Sequence, residues 1–281
     1  MGRSKDKRDV YYRKAKEEGF RARSAFKLLQ IDSEFHLIDG CKRVVDLCAA
    51  PGSWSQVLSR RLGPQGARIV AVDLQDMAPI DGVIQIKGDI TQERTAREII
   101  SQLQGNDDAD FVAENPRDDQ LADLVISDGA PDVTGMHDVD QYNQAMLLLS
   151  ALNIATFVMR RGASFVAKVF RGKDVGQLYS QMKVYFPKVA IVKPKSSRNS
   201  SIESFIVCQG FNPPEGFKPM MISPSAAVQY RKLLQKNNNG VICFFFARSL
   251  FKIALKDIIV FLLVFKKKMF VLIICLFVCL F

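Results

Sequence analysis

The stretch Val44-Val-Asp-Leu-Cys-Ala-Ala-Pro-Gly-Ser-Trp-Ser-Gln56 decides the fold. Val44, Val45 and Leu47 are strand formers, with an aspartate, Asp46, at the end of their run. Two alanines, a proline and a glycine follow, then a helical pattern that contains the chain's one tryptophan, Trp54. A strand that turns through small residues into a helix is the unit with which α/β proteins cradle nucleotide-like ligands. Small side chains let the backbone approach such a ligand closely.

Outward from this turn, apolar strand-like runs alternate with helical patterns, which predicts a parallel sheet with crossover helices. RVVDL (43–47), RIVAVD (68–73), GVIQI (82–86), LADLVIS (121–127) and SFVAKVF (164–170) read as central strands, and KVAIV and IESFIVCQGF (202–211) as a further strand pair. Helices fit 53–62, 91–103, 138–159 and 174–186, with Asp138 and Asp174 as N-caps of the last two. A separate amphipathic helix, RARSAFKLLQIDSEF (21–35), precedes the first strand.

Ligands of a doubly wound sheet bind beyond the carboxyl ends of its strands. Asp46, Asp73, Asp89 and Asp128 stand at four successive strand ends. Asp73 suits a ribose diol, and Asp89, in KGDI, an adenine amino group. The spacing from Gly52 to Asp73 also matches a dinucleotide site, but the turn lacks the G-x-G-x-x-G glycines that accommodate a pyrophosphate. The pattern favours a ligand with an adenosine and no phosphates, such as S-adenosylmethionine.

Lys168 interrupts an otherwise apolar central strand. A buried, unpaired ammonium is costly, so Lys168 needs carboxylate company. Lys27, Asp128 and Glu203 stand in similarly apolar settings, and the topology allows all four to converge above one sheet edge.

Charge is segregated along the 281 residues, whose net charge is +10. Residues 1–30 carry ten Lys or Arg against four acids, residues 31–159 nine against 21, and residues 160–198 ten against one. Basic segments flanking an acidic body point to a polyanion on one face. Tyr11, Tyr12 and Phe20 among the N-terminal cations suit unpaired RNA bases or packing on the domain, and Lys193, Lys195 and Arg198 an opposite wall. The six cysteines form no CxxC pair, and with two histidines, His36 and His137, argue against a structural zinc site. They read as small buried hydrophobes of a reducing compartment. The first twenty residues lack the apolar core of a secretory signal, and a cytoplasmic or nuclear location is expected.

Two segments stand apart. Residues 105–120, GNDDADFVAENPRDDQ, form an acidic, turn-rich insertion. Residues 244–281 are almost wholly apolar, but their longest uncharged run is 269–281, short of the roughly 17–25 residues of a membrane span. This tail reads as a tail anchor or as an ending foreign to the domain.

Residues 3–217 resemble the FtsJ (RrmJ) family of RNA ribose 2′-O-methyltransferases, most strongly the eukaryotic enzymes that act on the tRNA anticodon loop. Seven ordered blocks carry the resemblance: SKDKRDVYYRKAKEEGFRARSAFKLLQ, VVDLCAAPGSWSQVLS, VAVDLQDMAP, KGDIT, SDGAPDVTGMHDVDQY, FVAKVFRG and KPKSSRNSSIESFIVCQGF. The resemblance implies a doubly wound, Rossmann-like class I methyltransferase domain over 20–217 with a mostly parallel seven-stranded sheet. A basic RNA-binding arm (1–19) precedes it and a linker with the apolar tail (218–281) follows. It places the family's Lys-Asp-Lys-Glu tetrad on Lys27, Asp128, Lys168 and Glu203, with Lys168 as proton acceptor or as the group that orients the hydroxyl. It places S-adenosylmethionine contacts on Gly52, Trp54, Asp73, Asp89 and Asp128. It implies tRNA as substrate, at the wobble nucleotide and one on the loop's 5′ side, and scaffold partners of WD40-propeller or helical-repeat type. Ribosomal RNA methylation, RNA binding without catalysis and NAD-dependent oxidoreduction are the alternatives. The chain departs from the family at Cys48 and Ser53, where many bacterial members have glycine, in the acidic insertion, and in the tail that replaces a polar extension.

Overall fold

The computed structural model describes residues 9–105, 118–132, 134–172 and 175–219. The core of the acidic insertion, Asp174 and the apolar tail lie outside them. The elements are α1 (Val10–Glu17), α2 (Ala25–Phe35), β1 (Arg43–Leu47), α3 (Ser53–Leu62), β2 (Arg68–Asp73), β3 (Val83–Lys87), α4 (Glu93–Gln104), β4 (Ala122–Ser127), α5 (His137–Val158), β5 (Met159–Phe170), α6 (Val175–Tyr185), β6 (Lys188–Val192) and β7 (Glu203–Gln209). Among the described residues no helix is long and apolar enough to cross a membrane.

One seven-stranded sheet has the order β3-β2-β1-β4-β5-β7-β6. The strands β3, β2, β1, β4 and β5 are parallel, while β7 runs antiparallel to both β5 and β6. The chain winds outward from β1 to β3 on one side and from β4 to β5 on the other. The order therefore reverses between β1 and β4, where a crevice opens at the carboxyl ends of the strands. Because β7 is inserted antiparallel, its first residue, Glu203, pairs with Phe170 at the end of β5 and comes to the same edge.

Both faces of the sheet are covered, and its central strands are apolar on both. In β1, Val44, Val45 and Leu47 are fully buried. Side-chain alternation sorts the two faces. Val44, Ile69, Leu124, Ile126, Val166, Phe205 and Val207 share a core with Phe26, Leu28 and Ile31 of α2 and Trp54, Val57 and Leu58 of α3. By the same parity, Asp46, Lys168 and Glu203 lie on that face of their strands, with Asp128 continuing the parity of Ile126 beyond β4. Lys27 comes down on them from α2.

The element boundaries differ from the sequence reading in three places. β5 begins at Met159, directly after α5, because Met159 pairs with Ala122 before a register shift carries the pairing on to Leu124 and Ser164. Asp138 is not the cap of α5, since the helix starts at His137 with Met136 at its N-cap. Asp140 holds the incoming loop instead, accepting from the N–H and Oγ1 of Thr134, both at 2.8 Å. Residues 9–19, read as part of a basic arm, contain the docked helix α1. Asp9 caps it through the N–H groups of Tyr11 and Tyr12 (3.0 and 3.3 Å). Tyr11 and Phe20 pack on Phe26, with ring centroids 5.6 and 5.8 Å away. Phe20 is buried in this contact and Tyr11 half-buried, so both rings pack on the domain.

Candidate active site

The loop from β1 to α3 forms the floor of the crevice. Ala49 extends the sheet by donating to the Val72 carbonyl (3.1 Å), and the chain turns at Gly52, whose φ is 98°. A Cβ at Gly52 would lie 2.8 Å from both Arg21 Nη1 and Ile80 Cδ1. Arg21 would have to loosen its hydrogen bonds to the carbonyls of Pro51 (3.0 Å) and Pro79 (2.8 Å), and the positive φ strains any residue with a Cβ. Gly52→Ala is therefore expected to cost about 1–3 kcal/mol of stability through strain and overpacking. The turn would shift toward the crevice and ligand affinity would fall. Urea unfolding and calorimetric titration check both effects.

Asp73, the last residue of β2, reaches across to this turn. Its Oδ2 accepts from the Ala50 N–H and its Oδ1 from the Gln75 N–H, each at 2.8 Å. A carboxylate has about four acceptor positions, so Asp73 keeps capacity for a diol while it holds the loop. Asp89, beyond β3, accepts from the N–H and Oγ1 of Thr91 through Oδ1 (both 2.8 Å). Its other oxygen remains for a donor on a ligand. The first N–H groups of α3 have no intrahelical acceptor and begin where the turn ends. Trp54 sits there, but its side chain is turned inward. Its indole is 2% exposed, donates to the Ser24 carbonyl (2.8 Å) and lies 5.5 Å from the Phe205 ring. At this position the backbone N–H is the group that can face a ligand. Two acidic strand ends, a backbone turn without side-chain bulk and the absence of a glycine fingerprint together fit an adenosine-bearing ligand without phosphates.

Asp46 is not part of the ligand surface. It is 1% exposed, and Ser55 Oγ donates to its Oδ2 at 2.6 Å. Burial pushes its carboxyl up to about 7; the Ser55 hydrogen bond opposes this, and the charges of Asp128 and Asp73 add to it. Because the folded state holds this proton more tightly than the unfolded chain, Asp46 costs stability as pH rises from the ordinary carboxylate range to about 7. Above that window the cost is constant. Asp46→Asn removes the slope, so its stability relative to wild type is expected to improve by roughly 2–3 kcal/mol between pH 5 and pH 8. Denaturant midpoints at the two pH values measure it. An equal margin at both would show that Asp46 is ionised throughout.

Lys27, Asp128, Lys168 and Glu203 are brought together at the crevice edge. Lys168 Nζ donates to the Asp128 carbonyl (2.7 Å) and forms an ion pair with Asp128 Oδ1 (2.8 Å). Lys27 Nζ lies 2.9 Å from Glu203 Oε1 and 3.0 Å from Oε2, and 3.8 Å from that same Asp128 Oδ1. Both lysines are 8% exposed. Two ammoniums and two carboxylates thus compensate each other, as burial of charge requires. Burial alone would raise the Glu203 carboxyl, but the charge and hydrogen bond of Lys27, helped by Lys168 and Ser197, hold it below the usual glutamate range. Glu203 is a carboxylate at neutral pH.

Four contributors escaped the sequence reading. Ser197 Oγ donates to Glu203 Oε1 (2.8 Å). Gln144, 2% exposed on α5, donates through Nε2 to the carbonyls of Lys168 (3.0 Å) and Gly129 (3.2 Å), which ties the Asp128 turn to β5. The Ser24 and Ser53 hydroxyls, 2.6 Å apart, join the start of α2 to the start of α3. Gln144 carried little signal, since Gln141 and Asn143 of the same helix are equally polar. Ser24 and Ser53 sit at helix starts and Ser197 in a turn-like stretch, where that residue type needs no special reason. Lys193, expected on an RNA-facing wall, instead donates to the carbonyls of Asn199 (3.3 Å) and Ser201 (2.7 Å) and shapes its own loop. Cys41 and Cys208 are buried and Cys48 is half-buried, all as thiols, and burial pushes Cys41 and Cys48 up to about 12. Among the described residues no cluster of His, Cys, Asp or Glu could hold a metal ion.

A doubly wound sheet whose crevice carries an adenosine-type cradle beside a Lys-Asp-Lys-Glu tetrad defines a Rossmann-like methyltransferase domain. The FtsJ-like methyltransferase family model matches residues 20–211, and the chain belongs to that family. It is 64% identical over 226 residues to a Mus musculus protein named tRNA (cytidine(32)/guanosine(34)-2'-O)-methyltransferase, covering 80% of this chain and 65% of that one. It is 56% identical over 238 residues to the Schizosaccharomyces pombe protein of the same name, covering 81% and 79%. The chain thus spans just under two thirds of the mouse relative's length. Among solved structures, a Plasmodium falciparum protein described as a ribosomal RNA methyltransferase superposes with a TM-score of 0.59 at 25% identity, over 69% of this chain and 100% of that one.

Proposed function

We propose that the chain transfers a methyl group from S-adenosylmethionine to ribose 2′-hydroxyls of the tRNA anticodon loop, at the wobble nucleotide and at one on the loop's 5′ side. The observation that carries this reading is the geometry of Lys168 at the crevice edge. An ammonium has three donors; Lys168 gives one to the Asp128 carbonyl, and its charge is paired with Asp128 Oδ1 at 2.8 Å. The positions not given to that carbonyl can meet a hydroxyl, and in the amine form a lone pair can stand at one of them. Lys27, by contrast, is held between both oxygens of Glu203 and serves as a fixed positive charge beside the reacting oxygen. The names of the mouse and fission-yeast relatives support the choice of tRNA positions.

Gly52, the Trp54 backbone, Asp73, Asp89 and Asp128 would hold the cofactor. Asp73 would accept from its ribose diol and Asp89 from its adenine amino group. When bound, S-adenosylmethionine supplies an electrophilic methyl. Lys168 receives the proton of the attacking hydroxyl, and the tetrad aligns that oxygen and counters its growing negative charge. Arg13, Lys14 and Lys16 on the outer side of α1, with Lys195 and Arg198, provide exposed cations for the RNA backbone. Affinity for RNA should fall as salt rises. Scaffold proteins that select the nucleotide form part of this reading, as does a cytoplasmic or nuclear site of action.

The test is mass spectrometry of ribose methylation in cells that lack their own anticodon-loop methylase, keep their scaffold proteins and express this chain. Methylation restored in the anticodon loop supports the proposal. Methylation appearing in ribosomal RNA supports the second reading, which the likeness to the Plasmodium protein favours. No methylation from soluble protein that binds S-adenosylmethionine would overturn both.

A further inference from the structure

Lys27 and Gln30, three residues apart, lie on one face of α2, and Arg23 stands just before the helix. All three reach the segment that leads into β7. Arg23 Nη2 donates to the Ser196 carbonyl, and Gln30 Oε1 accepts from the Ser196 N–H (2.8 Å). Both backbone groups of the fully buried Ser196 are thus held by side chains that flank Lys27. The next residue, Ser197, is 4% exposed and donates to Glu203 Oε1, the oxygen that lies 2.9 Å from Lys27. Helix α1 backs the arrangement. Asp9 pairs with Arg23 and, at 3.6 Å, with Arg198, and Gln30 Nε2 donates to the Tyr11 hydroxyl (3.4 Å).

The two lysines of the tetrad converge on one atom, Asp128 Oδ1, at 2.8 Å for Lys168 and 3.8 Å for Lys27. What keeps Lys27 from moving into the closer position is its two-oxygen contact with Glu203. That contact depends on the orientation of a flexible carboxylate, and Ser197 is the neutral group that orients it. We propose that Ser197 is a positioning residue of the tetrad, set in place by the clamp of Arg23 and Gln30 on Ser196. It turns Glu203 toward Lys27, so that Lys27 leaves Asp128 to Lys168 and Lys168 stays placed to meet the hydroxyl. This inference rests on the methyl-transfer reading above.

The test uses the full chain, purified tRNA lacking the anticodon-loop methylation, and steady-state kinetics together with calorimetric titration of S-adenosylmethionine. Ser197→Ala is expected to lower kcat by roughly tenfold to a hundredfold, the scale on which small misplacements act. The KM for tRNA and the cofactor Kd are expected to stay near wild type. Ser197→Thr keeps the hydroxyl and is expected to restore most of kcat. Gln30→Ala, which loosens the clamp from outside the tetrad, should show the same split, and it carries the test if Ser197→Ala fails to fold. A Ser197→Ala enzyme with wild-type kcat would overturn the inference, as would a loss lying wholly in KM or cofactor affinity. Wild-type chain that methylates no RNA in the same assay would instead remove the functional reading on which the inference stands.

Discussion

Lys168→Ala is expected to abolish methyl transfer and to leave S-adenosylmethionine affinity near wild type. Positioned proton transfer contributes roughly 10²–10⁴-fold to rate, and the loss should fall at least in that range. The separation of the two effects follows from the fold. Lys168 stands on β5 and touches Asp128 through its carbonyl and Oδ1, whereas the turn at Gly52 and the carboxylate of Asp73 are held by β1, β2 and α3. Removing the ammonium leaves Asp128 with Lys27, 3.8 Å away, so one carboxylate keeps a weaker partner and the domain should still fold. Lys168→Arg sharpens the assignment. A guanidinium restores the charge and can donate to Asp128, but it does not give up its proton. An inactive arginine variant that binds cofactor supports Lys168 as proton acceptor. An active one would reduce Lys168 to an orienting group, and an alanine variant with impaired cofactor binding would sink the assignment altogether.

The parts of this site legible in the sequence were those set by local pattern. Short apolar runs lead into Asp73, Asp89 and Asp128, and the rule of carboxyl-end binding then brings them to one edge without any tertiary information. Lys168 was legible for a different reason, as a charge in a run of core residues that must find a partner. Glu203 shows where local reading stops. Its place opposite Phe170 depends on β7 entering antiparallel between β5 and β6, and nothing in SIESFIVCQG distinguishes that from an edge strand. The N-terminal segment was harder still. Its composition is that of a solvated basic arm, yet Asp9, Tyr11 and Phe20 fasten it to α2 and to the loop before β7. Those contacts join residues up to about 190 positions apart in the chain, and charge counts average over them. Trp54 shows the reverse. The family resemblance implied a cofactor contact there, but Phe205 and the Ser24 carbonyl draw its indole into the core and leave its backbone to face a ligand.

Asp73→Ala is expected to give the mirror image of the Lys168 result, a large loss of cofactor affinity with turnover that recovers as the cofactor is raised. Two functions are removed with one carboxylate. The Ala50 and Gln75 N–H groups lose their acceptor, which frees the turn before Gly52, and the ribose diol loses the group placed to receive it. Hydrogen bonds to a charged group contribute about 1.5–3 kcal/mol each, and 1.4 kcal/mol is a factor of ten, so Kd should rise roughly a hundredfold. Asp73→Asn divides the two functions. Its amide oxygen can still accept from Ala50, but its NH₂ cannot accept from Gln75 or from a hydroxyl. It should therefore hold the loop better than alanine does and bind cofactor less well than aspartate does. Calorimetric titration of the three proteins orders them directly. Wild-type affinity in Asp73→Ala would mean that the carboxylate supports neither the turn nor the ligand. Equal losses in both variants would assign the effect to the ribose contact. A loss in Asp73→Ala that Asp73→Asn fully repairs would assign it to the loop. In either of the last two cases the effect should stay in binding, because the tetrad is assembled by α2, β4, β5 and β7 and makes no use of β2.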